Sequence, residues 1–195
     1  QRQMCIRDRA KAVTSKKIVE SVPDLPSTTA LYYDDVSQQN FDASVLASLK
    51  LIGNDIPDGA THGIILDKTC FYPEGGGQIG ATGKLISSAD EIQVIDSYKD
   101  SGDIIHLTKK LPSNLESQVK LKVATKRRSL IEANHTGTHL LHQALRNILG
   151  DHVEQRGSMI SDEMFRFDFS HPSKLSSSDI HSINSFVNSK IKESI

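Results

Sequence analysis

The feature that most constrains the fold is a series of short β-type segments, separated by turn residues, between residues 62 and 124. In the last segment, residues 119–124, valine and leucine alternate with lysine, so one face is apolar and the other is charged. Short strands at this spacing predict a small antiparallel barrel or sandwich. The predicted strands are 63–67, 83–87, 92–98, 104–108 and 119–124.

A long helix is predicted after these strands, over residues 134–149. Asn134 is a favoured N-cap residue and Gly150 is a stop signal. Segments 159–160 and 164–169 are predicted strands, and 177–195 is a helix without a stop signal, so we expect the chain to end in or just after a helix. The apolar stripe of the long helix, which can dock onto a sheet, comprises Leu141, Ala144, Leu145, Ile148 and Leu149.

The fold class predicted from these elements is α+β, in three parts. Residues 1–40 are a lead-in or linker from an upstream region, with 1–9 interpreted as a non-native scar, 10–20 as helical and 28–36 as a strand. Residues 41–125 form a glycine-rich, barrel-like part, whose first element is predicted to be a helix over 43–52 that ends at Gly53. Residues 126–195 form the last part.

Composition excludes several classes of protein. The formal net charge is −1, from 23 Lys and Arg against 24 Asp and Glu, so any RNA contact must be local. Cys5 and Cys70 form no disulfide framework, which favours a reducing compartment. No run approaches the roughly 18 apolar residues of a membrane helix, and no export signal is present. The expected location is the cytoplasm, with no membrane partner.

The residues most indicative of chemistry are His135 and His139. Residues four apart return to one face of a helix, so two imidazoles can bind one zinc ion. Two surface histidines on a helix that merely packs explain a bare pair equally well. His142 fits the edge of the apolar face better than a third ligand position, and His152 fits a turn. Zinc needs four ligands, or three and a water, and no CxxxH, CxxC or second HxxxH follows, so the site is incomplete.

Two further segments could contact a nucleic acid. Gly75, Gly76 and Gly77 permit close backbone approach and expose N–H groups that can hold a phosphate or a terminal ribose, although a tight hairpin is the favoured interpretation. The spacing matches neither a Walker A loop nor a dinucleotide fingerprint. The basic run comprises Lys126, Arg127 and Arg128; it can hold RNA phosphate beside a helix N-terminus or form only a solvated face.

Taken in order, these segments resemble the editing domain of alanyl-tRNA synthetases, which free-standing alanyl-tRNA editing proteins and, more distantly, threonyl-tRNA synthetases share. The similarity runs from about Thr28 to the C-terminus. It rests on Phe71-Tyr-Pro-Glu-Gly-Gly-Gly-Gln, Arg127-Arg128, Asn134-His-Thr-Gly-Thr-His-Leu-Leu-His142, Leu149-Gly-Asp-His-Val-Glu-Gln-Arg-Gly-Ser158 and Arg166-Phe-Asp-Phe-Ser-His171. The resemblance implies a barrel-like subdomain followed by an α/β sandwich editing subdomain, with the metal-site helix packed on a sheet.

The resemblance also implies an activity, which is hydrolysis of the aminoacyl ester of tRNA(Ala) mischarged with serine or glycine. It implies zinc bound by His135 and His139 together with a Cys and a His from a later CxxxH, expected downstream of Ile195. Thr138 and Gln155 would line the amino-acid pocket, where a hydroxyl and an amide can bind serine by hydrogen bonds. ATP and Mg²⁺ would belong to a ligase domain N-terminal to this region. No catalytic nucleophile or general base is assigned.

Three functional hypotheses remain open. The favoured one is a segment of a full synthetase, because residues 10–41 form a lead-in that a free-standing editing enzyme scarcely needs. The second is a free-standing deacylase. The third is a catalytically silent tRNA-binding module, which the missing Cys and His would fit.

Overall fold

The computed structural model describes residues 18–19, 24–34, 38–52, 56–100, 102–115 and 118–193. Their regular elements are β1 (Thr29–Ala30), a 3-10 helix (Leu31–Tyr33), β2 (Asn40–Lys50), β3 (His62–Leu66), β4 (Lys68–Thr69), β5 (Gly83–Ile86), β6 (Glu91–Asp100), β7 (Asp103–Thr108), β8 (Gln118–Val123), α1 (Thr125–Leu149), β9 (Gln155–Ile160), β10 (Phe165–Phe169) and α2 (Ser177–Lys192). Neither helix in these ranges is long and apolar enough to cross a membrane.

Six antiparallel strands form a closed barrel in the order β2-β3-β7-β6-β5-β8. The predicted alternation of β8 is confirmed, because Val119, Leu121 and Val123 are buried while the lysines between them are exposed. Ile64 and Ile65 point to opposite faces of β3 and join two different apolar clusters. The α+β class and the antiparallel barrel are therefore confirmed.

The predicted helix over residues 43–52 is wrong, because residues 43–50 belong to strand β2 and Leu51 forms an isolated bridge with Val19. Both edges of β2 are paired: Phe41 lies opposite Leu121 of β8, and Ser48 lies opposite Ile64 of β3. The spacing of apolar residues suited a helix, but pairing with β8 up to Ser44 and with β3 from Val45 onwards overrides a weak local preference. The predicted stop at Gly53 lies outside the described residues.

The lead-in also differs from its prediction. Among the described residues 28–34 of the predicted strand 28–36, Thr29 and Ala30 form a strand that pairs in parallel with β4, and a 3-10 helix follows them. Residues 35 and 36 lie outside the described residues. Most of the predicted helix 10–20 lies outside the described residues, as do residues 1–9. Within that helix's range, Val19 is described, and it forms an isolated antiparallel bridge with Leu51.

Helix α1 begins at Thr125 rather than at Asn134, so Asn134 is not its N-cap. The Asn134 side-chain amide instead donates to the Ser161 carbonyl at 2.7 Å, across to the β9–β10 connection. The polar residues of the first turns carry no apolar periodicity, which is why the pattern placed the start too late. The predicted end is confirmed, because Gly150 follows α1 with a φ of 114°.

The second half of α1 packs against α2 and the β9–β10 pair. Its core combines Ala144 and Leu145 of α1 with Ile183 of α2, and all three side chains are buried. Helix α2 begins with a capping box, in which Ser176 and Asp179 each bond the other's backbone N–H. The predicted apolar stripe of α1 therefore faces a helix as well as strands.

A buried hydrogen-bonded chain in the barrel fixes the segment that leads to the glycine run. Because the Ile64 carbonyl can only accept, His106 donates to it from Nδ1 at 3.0 Å, and its Nε2 accepts from the Thr69 hydroxyl at 2.8 Å. The Thr69 oxygen in turn accepts from the Phe71 N–H at 3.0 Å. Burial lowers the pKa of His106 from 6.5 to about 4.

The neutral His106 should make the barrel acid-sensitive. Between pH 6.5 and about 4 the unfolded chain binds a proton that the folded imidazole resists, so the free energy of unfolding falls as pH decreases through this window. The loss is up to about 1.4 kcal/mol per pH unit. In urea unfolding followed by circular dichroism, His106→Gln should flatten this dependence. Parallel pH profiles for the wild type and the variant would contradict the assignment.

Candidate functional site

The two candidate metal ligands lie side by side on one face of α1. The rings of His135 and His139 stack with centroids 5.0 Å apart and an interplanar angle of 20°. His135 is half-buried and His139 is exposed. Burial, and then the neighbouring His139, lower the pKa of His135, so its imidazole stays neutral, which is the form that binds a metal.

The residue that orients His135 is Gln78, which sequence reasoning did not single out. Its side-chain oxygen Oε1 lies 2.8 Å from His135 Nδ1. Because Oε1 can only accept, Nδ1 carries the proton and Nε2 keeps its lone pair. A ligating histidine is usually held in this way through its other ring nitrogen. The signal in the sequence was the glutamine that directly follows three glycines.

The glycine run forms the hairpin that was its favoured interpretation. Gly75 and Gln78 exchange backbone hydrogen bonds of 3.0 and 2.9 Å. Gly76 and Gly77 have backbone φ values of 59° and 83°, which residues other than glycine rarely adopt. The hairpin is joined to β9 because Ile160 donates to the Gly77 carbonyl at 2.7 Å, and the Ile160 carbonyl accepts from Ile79 at 3.1 Å. A role of Gly75, Gly76 and Gly77 in RNA binding stays a prediction.

Two residues of the basic run, Arg127 and Arg128, form hydrogen bonds and ion pairs within the protein. Arg127 donates to the Gly80 carbonyl at 2.9 Å and pairs with Asp162 at 3.2 Å. Arg128 donates to the Cys70 carbonyl at 3.2 Å and pairs with Glu132 at 3.0 Å. These bonds fasten the start of α1 to the segment between β4 and β5. Lys126 is exposed, which makes it the best placed of the three for a phosphate.

The two residues implied as the amino-acid pocket lie in different surroundings. Thr138 is 5% exposed, and its hydroxyl donates to the Asn134 carbonyl of its own helix at 2.9 Å. Gln155 is exposed and donates to the Ser158 hydroxyl at 3.2 Å, and Ser158 donates to the Gly76 carbonyl at 3.4 Å. Gln155 is therefore linked to the hairpin that carries Gln78, whereas Thr138 is bonded within α1.

A third metal ligand is not found among the described residues, where no group of three or more His, Cys, Asp or Glu side chains could hold a metal ion. His142 turns to the core instead: its ring packs on Phe167 with centroids 5.0 Å apart, and its Nε2 is buried. Cys70 is fully buried in the barrel core. His135 and His139 thus fit zinc as half of a tetrahedral ligand set.

A cavity of about 200 Å³ adjoins the histidine pair, between the barrel and the first half of α1. His135 and Gln78 form part of its wall. The other lining residues include Tyr32, Tyr33, Tyr72, Arg127, Arg128 and Glu132. The sequence patterns gave no sign of this cavity, because its walls come from segments far apart in the chain.

The sequence is similar to known aminoacyl-tRNA synthetases. Residues 1–128 match the family model described as tRNA synthetases class II (A). The alanine–tRNA ligase of Christiangramia forsetii is 49% identical over 138 residues, which are 70% of this chain and 16% of that protein. The alanine–tRNA ligase of Flavobacterium psychrophilum is 44% identical over 71% of this chain and 17% of its own length.

A third relative, the alanine–tRNA ligase of Leptospira borgpetersenii, is also 44% identical, over 71% of this chain and 15% of its own length. The chain thus spans 15–17% of the length of these relatives. The resemblance to alanyl-tRNA synthetases is confirmed by these matches. The chain belongs to the class II (A) family of tRNA synthetases and, within it, to the alanyl-tRNA synthetases.

Proposed function

We propose that this chain is the editing region of an alanyl-tRNA synthetase and hydrolyses the ester of tRNA(Ala) mischarged with serine or glycine. The observation that carries the proposal is the stacked pair of His135 and His139, with Gln78 leaving Nε2 of His135 available to a metal. The protein that contains this chain would join alanine to tRNA(Ala) with ATP, as its relatives' name, alanine–tRNA ligase, indicates.

Each residue of the proposed site has a distinct task. His135 and His139 would hold zinc, which supplies Lewis acidity for ester hydrolysis when bound. Gln78 would keep His135 in the required tautomer and ring orientation. Gly137, between the two histidines, lets β10 approach α1, because a Cβ there would lie 3.1 Å from the Phe165 ring. The pair is thus carried by a helix packed against a strand, which favours a fixed geometry.

Recognition of the misplaced amino acid is proposed to depend mainly on Gln155. Its amide is exposed beside the hairpin, so it can exchange the Ser158 hydroxyl for the hydroxyl of a seryl ester. Thr138 is proposed to shape the pocket rather than bind, since its hydroxyl already donates within α1. The α/β sandwich editing subdomain remains part of this proposal.

The proposed RNA partner is tRNA(Ala), contacted through a local patch. The chain's net charge of −1 gives no general attraction to RNA. Lys126 is exposed at the beginning of α1, where the helix dipole adds partial positive charge. Arg127 and Arg128 support this patch structurally, since their guanidinium groups bond the carbonyls of Gly80 and Cys70 and two carboxylates.

The proposed activity is tested by single-turnover hydrolysis of Ser-tRNA(Ala), Gly-tRNA(Ala) and Ala-tRNA(Ala) with the zinc-supplemented 195-residue chain. We expect faster loss of the serine and glycine esters. His135→Ala and His139→Ala should each lower the rate by more than about 100-fold, because each removes a metal ligand. His181→Ala is the matched control, since His181 is exposed on α2.

The alternative function, a catalytically silent tRNA-binding module, has one observation in its favour: the described residues supply only two ligands to the proposed metal. It predicts that the chain binds tRNA(Ala) but leaves all three esters at their uncatalysed rates of hydrolysis. That result would overturn the editing proposal for this chain.

The role of Gln78 gives a prediction that does not depend on activity. In the metal-free chain, long-range ¹H–¹⁵N NMR should show His135 with its proton on Nδ1. Gln78→Leu should produce a mixture of tautomers and weaken zinc binding by about 10- to 100-fold. Gln78→Glu keeps an acceptor and should preserve the tautomer.

The matched control for this prediction is Gln118→Leu, since Gln118 is exposed at the beginning of β8. It should leave both the tautomer and the zinc affinity unchanged. If His135 carries its proton on Nε2 in the wild type, or if Gln78→Leu does not alter the tautomer, then Gln78 is not the positioning residue.

A further inference from the structure

A second pair of histidines lies outside the proposed metal site. His152 is in the turn that follows α1, and His171 follows the end of β10. Nε2 of His152 is 2.9 Å from Nδ1 of His171, and the ring planes are inclined by 28°. The ring centroids are 5.1 Å apart, which is this distance plus the radii of both rings, so the rings meet edge to edge. One of the facing nitrogens therefore donates a hydrogen and the other accepts it.

Both rings of this pair make further contacts. Gly150 leaves room for the His152 ring, since a Cβ there would lie 3.1 Å from its Nδ1. Nε2 of His171 lies 3.4 Å from the Ser173 hydroxyl. The neighbouring Val153 is fully buried in the core that α1 and α2 share. The turn thus already has an apolar anchor, and the largely exposed histidine pair supplies direction rather than burial.

The pair closes the end of the β9–β10 ladder at which Gln155 lies. The Ser170 hydroxyl oxygen accepts from the Glu154 N–H at 3.1 Å, and the Ser170 N–H donates to the Glu154 carbonyl at 3.0 Å. Gln155 comes next and lies opposite Phe169 of β10. The bond between the histidines therefore joins the same two chain segments just outside the Glu154–Ser170 bonds.

A β-bulge makes Gln155 depend on this end of the ladder. Asp168 of β10 lies opposite Gly157, and Phe169 lies opposite Gln155, so Arg156 is the extra residue on β9. A bulge interrupts the regular ladder and changes the direction of nearby side chains. The regular pairing beyond Gly157 therefore does not fix Gln155 by itself. The bonds on its other side, which include the histidine pair, complete its position.

We propose that His152 and His171 are positioning residues that hold Gln155 for the recognition of serine. The inference rests on the proposed function, in which the exposed Gln155 amide exchanges the Ser158 hydroxyl for that of a seryl ester. A glycyl ester has no side-chain hydroxyl for this amide to bind. The pair should therefore affect the hydrolysis of serine esters and leave that of glycine esters unaffected.

The comparison of these two substrates is the direct test. His171→Phe keeps a ring and removes the nitrogen that faces His152, whereas His171→Asn keeps a polar atom near the same place. In single-turnover hydrolysis, His171→Phe should slow the loss of Ser-tRNA(Ala) by roughly three- to tenfold, the effect of one hydrogen bond. The rate for Gly-tRNA(Ala) should be unchanged, and His171→Asn should restore the serine rate. The matched control, His181→Phe on α2, should change neither rate.

A double variant shows whether the pair acts through Gln155. His171→Phe should add nothing to the loss of serine hydrolysis in Gln155→Ala, because effects that pass through one residue are not additive. Equal losses for both esters, an unchanged serine rate in His171→Phe, or full additivity with Gln155→Ala would each overturn the inference. Circular dichroism checks folding, and if His171→Phe is unfolded, His152→Phe removes the same bond from the exposed partner.

NMR tests the same inference without any activity. In mildly alkaline buffer, long-range ¹H–¹⁵N spectra should show one protonated and one unprotonated nitrogen at His152 Nε2 and His171 Nδ1. His171→Phe should shift the side-chain amide signals of Gln155 and leave those of Gln118 unchanged. If the wild type hydrolyses no ester, the editing proposal fails, while these signatures still support the positioning of Gln155. Facing nitrogens in the same protonation state, or unchanged Gln155 signals, overturn the inference at any level of activity.

Discussion

The arrangement of the site depends on the hairpin formed by Gly75, Gly76, Gly77 and Gln78. On one side its backbone bonds Ile160 of β9, and on the other its Gln78 side chain bonds His135 of α1. The positive φ values of Gly76 and Gly77 make this turn possible. The hairpin therefore connects the barrel, a strand of the β9–β10 pair and the candidate metal ligand in a few residues.

A second connection lies at the beginning of α1. Arg127 and Arg128 bond the carbonyls of Gly80 and Cys70, which flank the segment carrying the hairpin. Inside the barrel, Thr69 bonds His106 and also accepts a hydrogen bond from the Phe71 N–H, which fixes the beginning of the same segment. Both ends of the glycine-containing segment are thus fixed to buried structure, and this favours a preorganised position for Gln78.

Much of this fold could be predicted from local patterns, and the rest depended on distant contacts. The series of short strands between residues 62 and 124 predicted a barrel or sandwich, and helical spacing placed His135 and His139 together on one helix. The segment 43–52 was wrongly predicted as a helix because pairing with β8 and then with β3 along β2 decides its conformation. Gln78 and the tyrosine-lined cavity were missed because their contacts join residues that are far apart in the chain.

His135 and His139 are proposed to be the residues of this chain that bind zinc. Zinc K-edge X-ray absorption of the zinc-loaded chain tests this proposal directly. We predict two imidazole ligands, with the remaining positions filled by light atoms and no sulfur, and loss of both imidazoles in the double variant His135→Ala/His139→Ala. A sulfur ligand at about 2.3 Å, or imidazole ligands that persist in the double variant, would show that other residues bind the metal.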